Sequence, residues 1–220
     1  MGDNSVVEPY CFLGAGEFNG TNRLIIGDNA HLRSHSIFYL GSNIGRNFKT
    51  GHNVVIREKS QIGNNCIFGT STEAEGYFTV GDFVFIYNNV HLCQGSSIGS
   101  FVWIFPYCIF TNDPHPPSIG DMGPTIADYA ILATRITVLP GCQIGRDAFV
   151  GSHTLVNRNV PDLTIAAGNP MSLKGSVDRI RLTGTNKAAY PWRRHYHSRP
   201  DHIRFPTEII QQWKEEFPDG

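Results

Sequence analysis

The chain of 220 residues is short of charge: Asp, Glu, Lys and Arg make up 17%, split 18 basic to 19 acidic, for a formal net charge of −1. So balanced a chain has no global attraction to nucleic acid or to an anionic membrane surface, and no nucleic-acid-binding module is visible. Long apolar runs are missing as well. No window approaches 18 consecutive apolar residues, so no membrane span is expected. The stretch Met1 to Val6 has no basic segment followed by an apolar core, and Val6 stands where the myristoylation pattern wants Ser or Thr, so neither a secretory signal nor a lipid anchor is expected. Cysteine is sparse and unpatterned: Cys11, Cys66, Cys93, Cys108 and Cys142 are an odd set without Cys-x-x-Cys or other zinc-finger spacing. A reduced, cytoplasmic setting follows as the simplest expectation. What is abundant is apolar residues, 40%, and glycine, 23 residues, which excludes a disordered chain. The length suits one domain, or one domain with an appendage.

The organising feature is a repeat. Ile-Gly or a close equivalent recurs at Ile26-Gly27, Ile44-Gly45, Ile62-Gly63, Val80-Gly81 and Ile98-Gly99, 18 residues apart each time, and again at Ile126-Ala127 and Ile144-Gly145. Inside each 18 runs a finer beat of six. From Ile26 to Phe110 and from Ile126 to Val156 every sixth residue is apolar, with Thr50 the sole polar exception. Four residues after each such slot the side chain is usually small or β-branched, as at Ala30, Ser36, Ser60, Cys66, Cys108 and Cys142, so these cysteines read as interior fillers.

A period of six fits neither an amphipathic helix nor an array of hairpins. It fits a solenoid with three flat faces per turn, each a short strand with one residue pointing inward, and with Gly, Asn or Asp turning the corners. Asp28-Asn29, Arg46-Asn47, Asn64-Asn65, Asp82-Phe83 and Arg146-Asp147 stand where corners are needed. Seven such coils stacked ~4.8 Å apart would form a prism roughly 34 Å long. The beat implies an entry segment over 1–25, a solenoid over 26–175 with a loop at 111–125, and an extension over 176–220. In that extension Pro206 opens a helix, about 206–217, whose apolar stripe is Ile209, Ile210, Trp213 and Phe217 and which would cap the last coil.

This repeat resembles that of the hexapeptide-repeat acyltransferases over roughly residues 24 to 175. The resemblance implies an all-β fold, a left-handed parallel β-helix of about seven coils, which departs from the usual right-handed crossover. It also implies an acyl-CoA-dependent enzyme, with acetyl-CoA as co-substrate, no metal, and a homotrimer whose active sites lie between two prisms. The acceptor it implies is a sugar or nucleotide-sugar used for surface polysaccharide, modified on oxygen or nitrogen.

The beat breaks between Phe110 and Ile126, so a loop containing Thr111-Asn112-Asp113-Pro114-His115-Pro116-Pro117-Ser118 and ending in Gly120, Gly123 and Pro124 must leave the prism. An excursion from a strict solenoid is where function is sought. His115 before Pro, downstream of Ile104-Phe105-Pro106, resembles the galactoside and maltose acetyltransferase branch, which would make His115 the general base. The chemistry needs one: a sugar hydroxyl is a poor nucleophile at neutral pH, and an imidazole titrating at about 6.5 can take its proton during attack on a thioester. Asn88 and Asn89, with Asp113 in Thr111-Asn112-Asp113, resemble instead the nucleotide-amino-sugar N-acetyltransferases, where an Asn at a double-Asn turn sits beside an already nucleophilic amine. Asn pairs are also ordinary turn chemistry. The sugar-holding Asp and Asn of the galactoside branch fall on Cys93 and Phe85, which argues against a free galactoside or maltose as acceptor.

Downstream, Leu132-Ala133-Thr134, Val138-Leu139-Pro140-Gly141, Val150-Gly151-Ser152, Asn159-Val160-Pro161 and Ile165-Ala166-Ala167-Gly168-Asn169-Pro170 resemble the family's donor end. By that resemblance Ala133, Thr134, Gly151, Ser152 and Gly168 would admit the coenzyme arm close to the backbone, with Arg158 and Lys174 near its phosphates. Eight of the 18 basic residues crowd between Lys174 and Arg204. They read either as a phosphate-attracting segment or as a solvated linker with Arg stacked on Tyr190 and Trp192. The acidic stretch Ser71 to Gly76 reads as a solvated corner or a small bulge. Two other functions stay open: a γ-carbonic-anhydrase-like zinc enzyme, with His52, His91, His115 and His153 as candidate ligands, and a non-catalytic β-helix scaffold.

Overall fold

A computed structural model describes residues 1–118, 122–196 and 205–218. The chain winds as a left-handed parallel β-helix of about eight turns. Among the described residues its strands form three parallel sheets of ten, eight and seven strands, one per face. One coil shows the pattern: Phe85–Ile86 on the first face, His91–Leu92 on the second, Ser97–Ile98 on the third. The next coil's Trp103–Ile104 pairs in register with Phe85–Ile86, residue 103 beside 85 and 104 beside 86. A six-residue side leaves room for a two-residue strand and a corner, so each face contributes one inward side chain per turn.

Those inward side chains are the slots of the six-residue beat, and all are buried, from Ile26 to Val156. Thr50 is 5% exposed, and its Oγ1 accepts the backbone N–H of Arg33 at 2.9 Å, which is how a polar residue is tolerated in that row. The small slots are filled the same way: buried Ser36 and Ser60 donate to the carbonyls of Arg33 (2.8 Å) and Arg57 (2.7 Å). Burial pushes the Cys66 thiol up to about 12 and the Cys108 thiol to about 11, as inert interior fillers require. Where the beat brings only Ala74, the following small slot carries the large Phe78, which restores the volume of that coil.

The winding starts earlier than Ile26. Val6–Val7 pairs with His31–Leu32, and Phe12–Ala15 with Ile37–Tyr39. The step from Val6 to His31 is 25 residues rather than 18, because the chain between Ala15 and Ile25 makes a longer connection, and this hides the first coil from a search for period. That coil accounts for about eight turns where the sequence suggests seven. The stretch Ser71 to Gly76 makes no bulge: Glu73 and Ala74 pair in register with Val55 and Ile56 on one side and with His91 and Leu92 on the other.

Corners are held by side chains that accept a backbone N–H from the coil before. Asn64 Oδ1 accepts from Arg46 (3.0 Å), Ser100 Oγ from Asp82 (3.0 Å) and Asp128 Oδ1 from Ser100 (2.8 Å). The next residue adopts positive φ, as at Asn47, Asn65, Phe101 and Tyr129. Where it is aromatic, stacking over consecutive coils offsets the strain: Phe83 on Phe101 at 5.1 Å and Phe101 on Tyr129 at 4.8 Å.

Compact units divide at Lys174/Gly175. The second unit, Gly175–Gly220, has its own aromatic cluster of Trp192, Tyr196, Phe205 and Trp213, with ring centroids 4.8–6.1 Å apart among neighbouring pairs. It contains α1 (Arg193–Tyr196), which the sequence reading did not anticipate, and α2 (Thr207–Glu216) with Pro206 at its N-cap. Arg193 is 2% exposed and pairs with Glu216, its Nε donating at 2.8 Å. Arg193 and Arg194 lie over the Phe217 ring at 5.2 and 4.8 Å. Arg199, Arg204, His197 and His202 lie outside the described residues. Among the described residues no helix is long and apolar enough to cross a membrane.

Candidate active site

Every candidate residue is placed by the three edges of the prism. The edge between first and second faces carries Asn88-Asn89, Thr134, Ser152 and, after the strand Thr164–Ala167, Gly168; the edge between second and third faces is where the loop leaves and returns. Ile98 pairs with Ile126, so the coil holding the loop takes 28 residues instead of 18.

The loop is tied down at both ends. Thr111 Oγ1 donates to the Val138 carbonyl at 3.0 Å as the chain departs, and Met122 N–H donates to the Asn112 carbonyl at 2.8 Å as it comes back. Gly141 N–H then donates to the Met122 carbonyl at 2.7 Å. Between these ties the Asp113 carboxylate organises the turn. Its Oδ1 accepts the His115 N–H at 3.0 Å and the Ser118 hydroxyl, and its Oδ2 accepts the Ser118 N–H at 2.9 Å. The Ser118 hydroxyl first, then the backbone N–H groups of Ser118 and His115 and the nearby imidazole, hold the Asp113 carboxyl below its usual range. Asp113 is thus engaged in building the loop that presents His115, whose side chain is exposed. Gly120 lies outside the described residues.

Asn88 and Asn89 separate into two kinds. Asn88 Oδ1 accepts the Thr70 N–H at 2.9 Å, as the corner residues of other coils do, so this oxygen serves the fold while the side chain stays exposed. Asn89, at φ 57°, turns the corner with an exposed side chain. Beside them Tyr87 stacks on Phe105 at 4.7 Å, and the Arg135 guanidinium lies over Tyr107 at 5.4 Å. Burial raises the Tyr87 hydroxyl above its usual range. Tyr107 and Arg135 escaped the sequence reading, although each stands three residues after an inward slot, Ile104 and Leu132, where an outward corner residue is due.

Of the donor-end set, Ala133, Thr134, Gly151, Ser152 and Gly168 follow first-face strands and share one edge, while Arg158 follows the second-face strand Leu155–Val156 and stands on the next edge. Lys174 lies in the strand Ser172–Ser176. The aromatic step of Tyr87 and Phe105 continues along the same column into Ala133 and Gly151, so the wall recedes where the side chains become small. Phe85 and Cys93 are buried, at 5% and 1% exposure, and neither is available to hold a sugar. The four zinc candidates are scattered: His52 Nδ1 lies 2.9 Å from Ser34 Oγ, His91 lies between Glu73 and Glu75 at 3.7 and 3.4 Å, and His115 and His153 are on different edges. Among the described residues no three His, Cys, Asp or Glu side chains are grouped to hold a metal ion.

No family model matches the chain. It is 26% identical over 208 residues to the acyl-[acyl-carrier-protein]–UDP-N-acetylglucosamine O-acyltransferase of Nautilia profundicola, covering 89% of this chain and 66% of that one. It is 27% identical over 124 residues to the galactoside O-acetyltransferase of Lactococcus lactis, covering 53% and 55%. Over 59 residues it is 42% identical to serine acetyltransferase 4 of Arabidopsis thaliana, covering 27% and 17%. Its homologues are acetyltransferases of the hexapeptide-repeat family. The chain spans less than two thirds of the length of each of these three hexapeptide-repeat relatives. Among solved structures, the Arabidopsis UDP-N-acetylglucosamine acyltransferase superposes with a TM-score of 0.49 at 17% identity, covering 98% of this chain and 85% of that one. A hexapeptide-repeat acetyltransferase from Vibrio cholerae superposes with a TM-score of 0.48 at 23% identity, covering 52% and 72%.

Proposed function

We propose that this acyltransferase moves an acyl group, acetyl in the simplest case, from coenzyme A to a hydroxyl or amine of a sugar or nucleotide-linked sugar destined for surface polysaccharide. It would work in the cytoplasm as a homotrimer. The sugar acceptor is supported by the names of two relatives, a UDP-N-acetylglucosamine O-acyltransferase and a galactoside O-acetyltransferase. The observation that carries the reading is the division of labour between edges: Ala133, Thr134, Gly151, Ser152, Gly168 and Asn89 lie along one edge, and the loop with His115 leaves from another, which also carries Arg158. In one chain these groups stand at opposite ends of the second-face strands. Side-by-side packing of two prisms would bring the loop of one chain to the donor edge of its neighbour.

In that cleft the exposed imidazole of His115 takes the proton of the acceptor hydroxyl as its oxygen attacks the thioester carbonyl. The tetrahedral intermediate collapses to the ester, and the coenzyme thiolate leaves with a proton returned by the imidazolium. An amine acceptor depends less on this base, because its unprotonated form is already nucleophilic, and Asn89 would then orient it. The backbone beside Ala133, Thr134, Gly151, Ser152 and Gly168 would receive the pantetheine arm, with Arg158 and Lys174 near the phosphates. The test is thiol release from acetyl-CoA across a set of nucleotide-sugars carrying free amines or hydroxyls, with an acyl-carrier-protein thioester as a second donor. Release that depends on an acceptor supports the reading. No release from either donor with any acceptor ends it.

A further inference from the structure

The prism is uncovered at its first coil. Register places Val7 over Leu32 and Leu13 over Phe38. The Gly2 N–H donates to the Ile26 carbonyl at 2.7 Å, as that of Gly27 does to Ile44 at 2.8 Å, so Met1, Val7 and Leu13 hold the three inward positions of this coil. Inward residues from Ile26 to Val156 are at most 5% exposed, whereas Met1, Val7 and Leu13 are 63%, 36% and 37% exposed. The apolar core therefore runs out to the end of the solenoid and stops there without the polar cap that a repeat array in water ordinarily carries.

The end is also stepped. Among the described residues Val6–Val7 and Phe12–Ala15 head the sheets of the first and second faces, but the sheet of the third face begins a coil later, at Ile25–Ile26. Two sides therefore stand one strand, ~4.8 Å, above the third. In the notch lies a cavity of about 350 Å³ lined by Met1, Leu13, Leu24, Ile26, Leu40 and Arg23. The raised coil is firmly held to the next one: Glu8 Oε1 lies 3.1 Å from His31 Nε2 and 3.6 Å from the Arg33 guanidinium, and its Oε2 accepts the Ser34 N–H at 3.1 Å.

Shape, charge and area each suit a second copy. A two-fold axis parallel to the third face sets the raised sides of one end into the notch of the other and the reverse, an isologous contact. Arg23 in the notch and exposed Glu17, whose carbonyl accepts the Asn22 amide, give the end both signs, so two identical ends meet without single-sign repulsion. With the rim residues Val6, Phe12 and Ile25, each more than half exposed, the uncovered apolar surface is on the order of 600 Å², as large as the largest patches on monomers and what each partner gives to a small specific interface.

We propose that two copies of this chain pair end to end through their first coils, the raised strands of each seated in the notch of the other and Met1, Val7 and Leu13 of both closing one continuous core. Such pairing is independent of the transfer reaction and doubles whatever side-by-side assembly the chain forms. An interface of this size belongs to the weaker class, so the 220-residue protein is followed by sedimentation velocity from about 1 to 100 μM. Leu13→Asp puts an unpaired charge into the apolar contact, and Phe12→Ser removes a rim side chain that is already exposed and so spares the fold. Wild-type protein should reach twice the mass of Leu13→Asp at the upper concentrations, and Phe12→Ser should need about tenfold more protein than wild type to double. Circular dichroism and the urea midpoint report whether each variant is folded, and if Leu13→Asp unfolds the comparison is made with Phe12→Ser alone. A single mass shared by wild type and folded Leu13→Asp across the range overturns the pairing and leaves the notch to another occupant, as does doubling of Phe12→Ser at the wild-type concentration. The mass ratio is read without donor or acceptor, so a failed thiol-release assay counts against the transfer reading and not against the pairing.

Discussion

The backbone N–H of His115 donates to Asp113 Oδ1 at 3.0 Å, so the residue proposed as base is positioned through its main chain by a carboxylate two residues earlier. With both oxygens of Asp113 engaged by loop donors, its folded carboxyl is held below the ordinary range. A depressed folded value means that the loop gains stability above the unfolded carboxylate pKa and loses it as pH falls through the lower folded value. Cleavage of the 111–118 loop by an acid-active protease should therefore stay slow around pH 5 and accelerate at more acidic pH. In Asp113→Ala cleavage should be fast throughout. A protease profile identical in the two proteins would show that the carboxylate does not order the loop.

His115→Ala should lower kcat for a hydroxyl acceptor by about 10²-fold or more with little change in the KM for acetyl-CoA, because the side chain acts on the proton in flight rather than on donor binding. Near-normal kcat in that variant would remove the imidazole from the mechanism and shift the weight to Asn89 and an amine acceptor.

Asn88 and Asn89 should fail in different ways. Asn88→Ala leaves the Thr70 N–H without its 2.9 Å acceptor and should cost about 1 kcal/mol of stability, read as a lower midpoint in urea, whereas Asn88→Asp keeps an acceptor and should unfold close to wild type. Asn89→Gly suits the positive φ and should leave the midpoint nearly unchanged while lowering turnover. Loss of turnover in Asn88→Asp with Asn89→Gly fully active would reverse the two roles.

The solenoid was legible because its geometry is one-dimensional: each inward slot must be apolar and each corner must turn, so Ile26 to Val156 announce themselves by counting. The first coil was not, since the longer connection after Ala15 displaces Val6 and Phe12 from the beat although they pair as any other coil does. At the site the limit was different. Asn88 and Asn89 are the same residue at adjacent positions and both are exposed, and only the Thr70 N–H bond to Asn88 Oδ1 tells them apart. The helix α2 could be read from Ile209, Ile210 and Trp213, but the pairing of buried Arg193 with Glu216 could not, because a run of arginines looks solvated until a carboxylate and the Phe217 ring are seen against it.

Thr50 tests how the six-residue row of inward side chains tolerates its one polar member. Replacing it by Val matches shape but strips the Arg33 N–H of its acceptor, so Thr50→Val should destabilise by about 1–3 kcal/mol despite the added hydrophobicity. A more stable Thr50→Val protein in chemical unfolding would mean that this N–H finds water instead.

The return of the loop that carries His115 depends on a contact that only glycine permits. Gly123 passes so close to the neighbouring corner that a Cβ there would lie 2.1 Å from the Gly95 carbonyl carbon and 2.3 Å from the Ser96 nitrogen, both main-chain atoms of a strand-to-strand corner that cannot swing aside as a side chain would. Gly123→Ala must therefore push the returning chain away from the prism. That strains the ties from Met122 to Asn112 and from Gly141 to Met122, which fix the loop's base. The coil on either side keeps its own ladder, so the damage should be local: a stability loss of about 1–3 kcal/mol, with a larger fall in turnover than the lost stability explains, because the base of the loop sets where His115 is presented. Gly20→Ala serves as the control, since a Cβ at Gly20 meets nothing within 4 Å and only the positive φ of 91° opposes it. If Gly123→Ala retains wild-type kcat and unfolds no earlier than Gly20→Ala, the loop does not depend on that close approach, and the presentation of His115 must be set elsewhere.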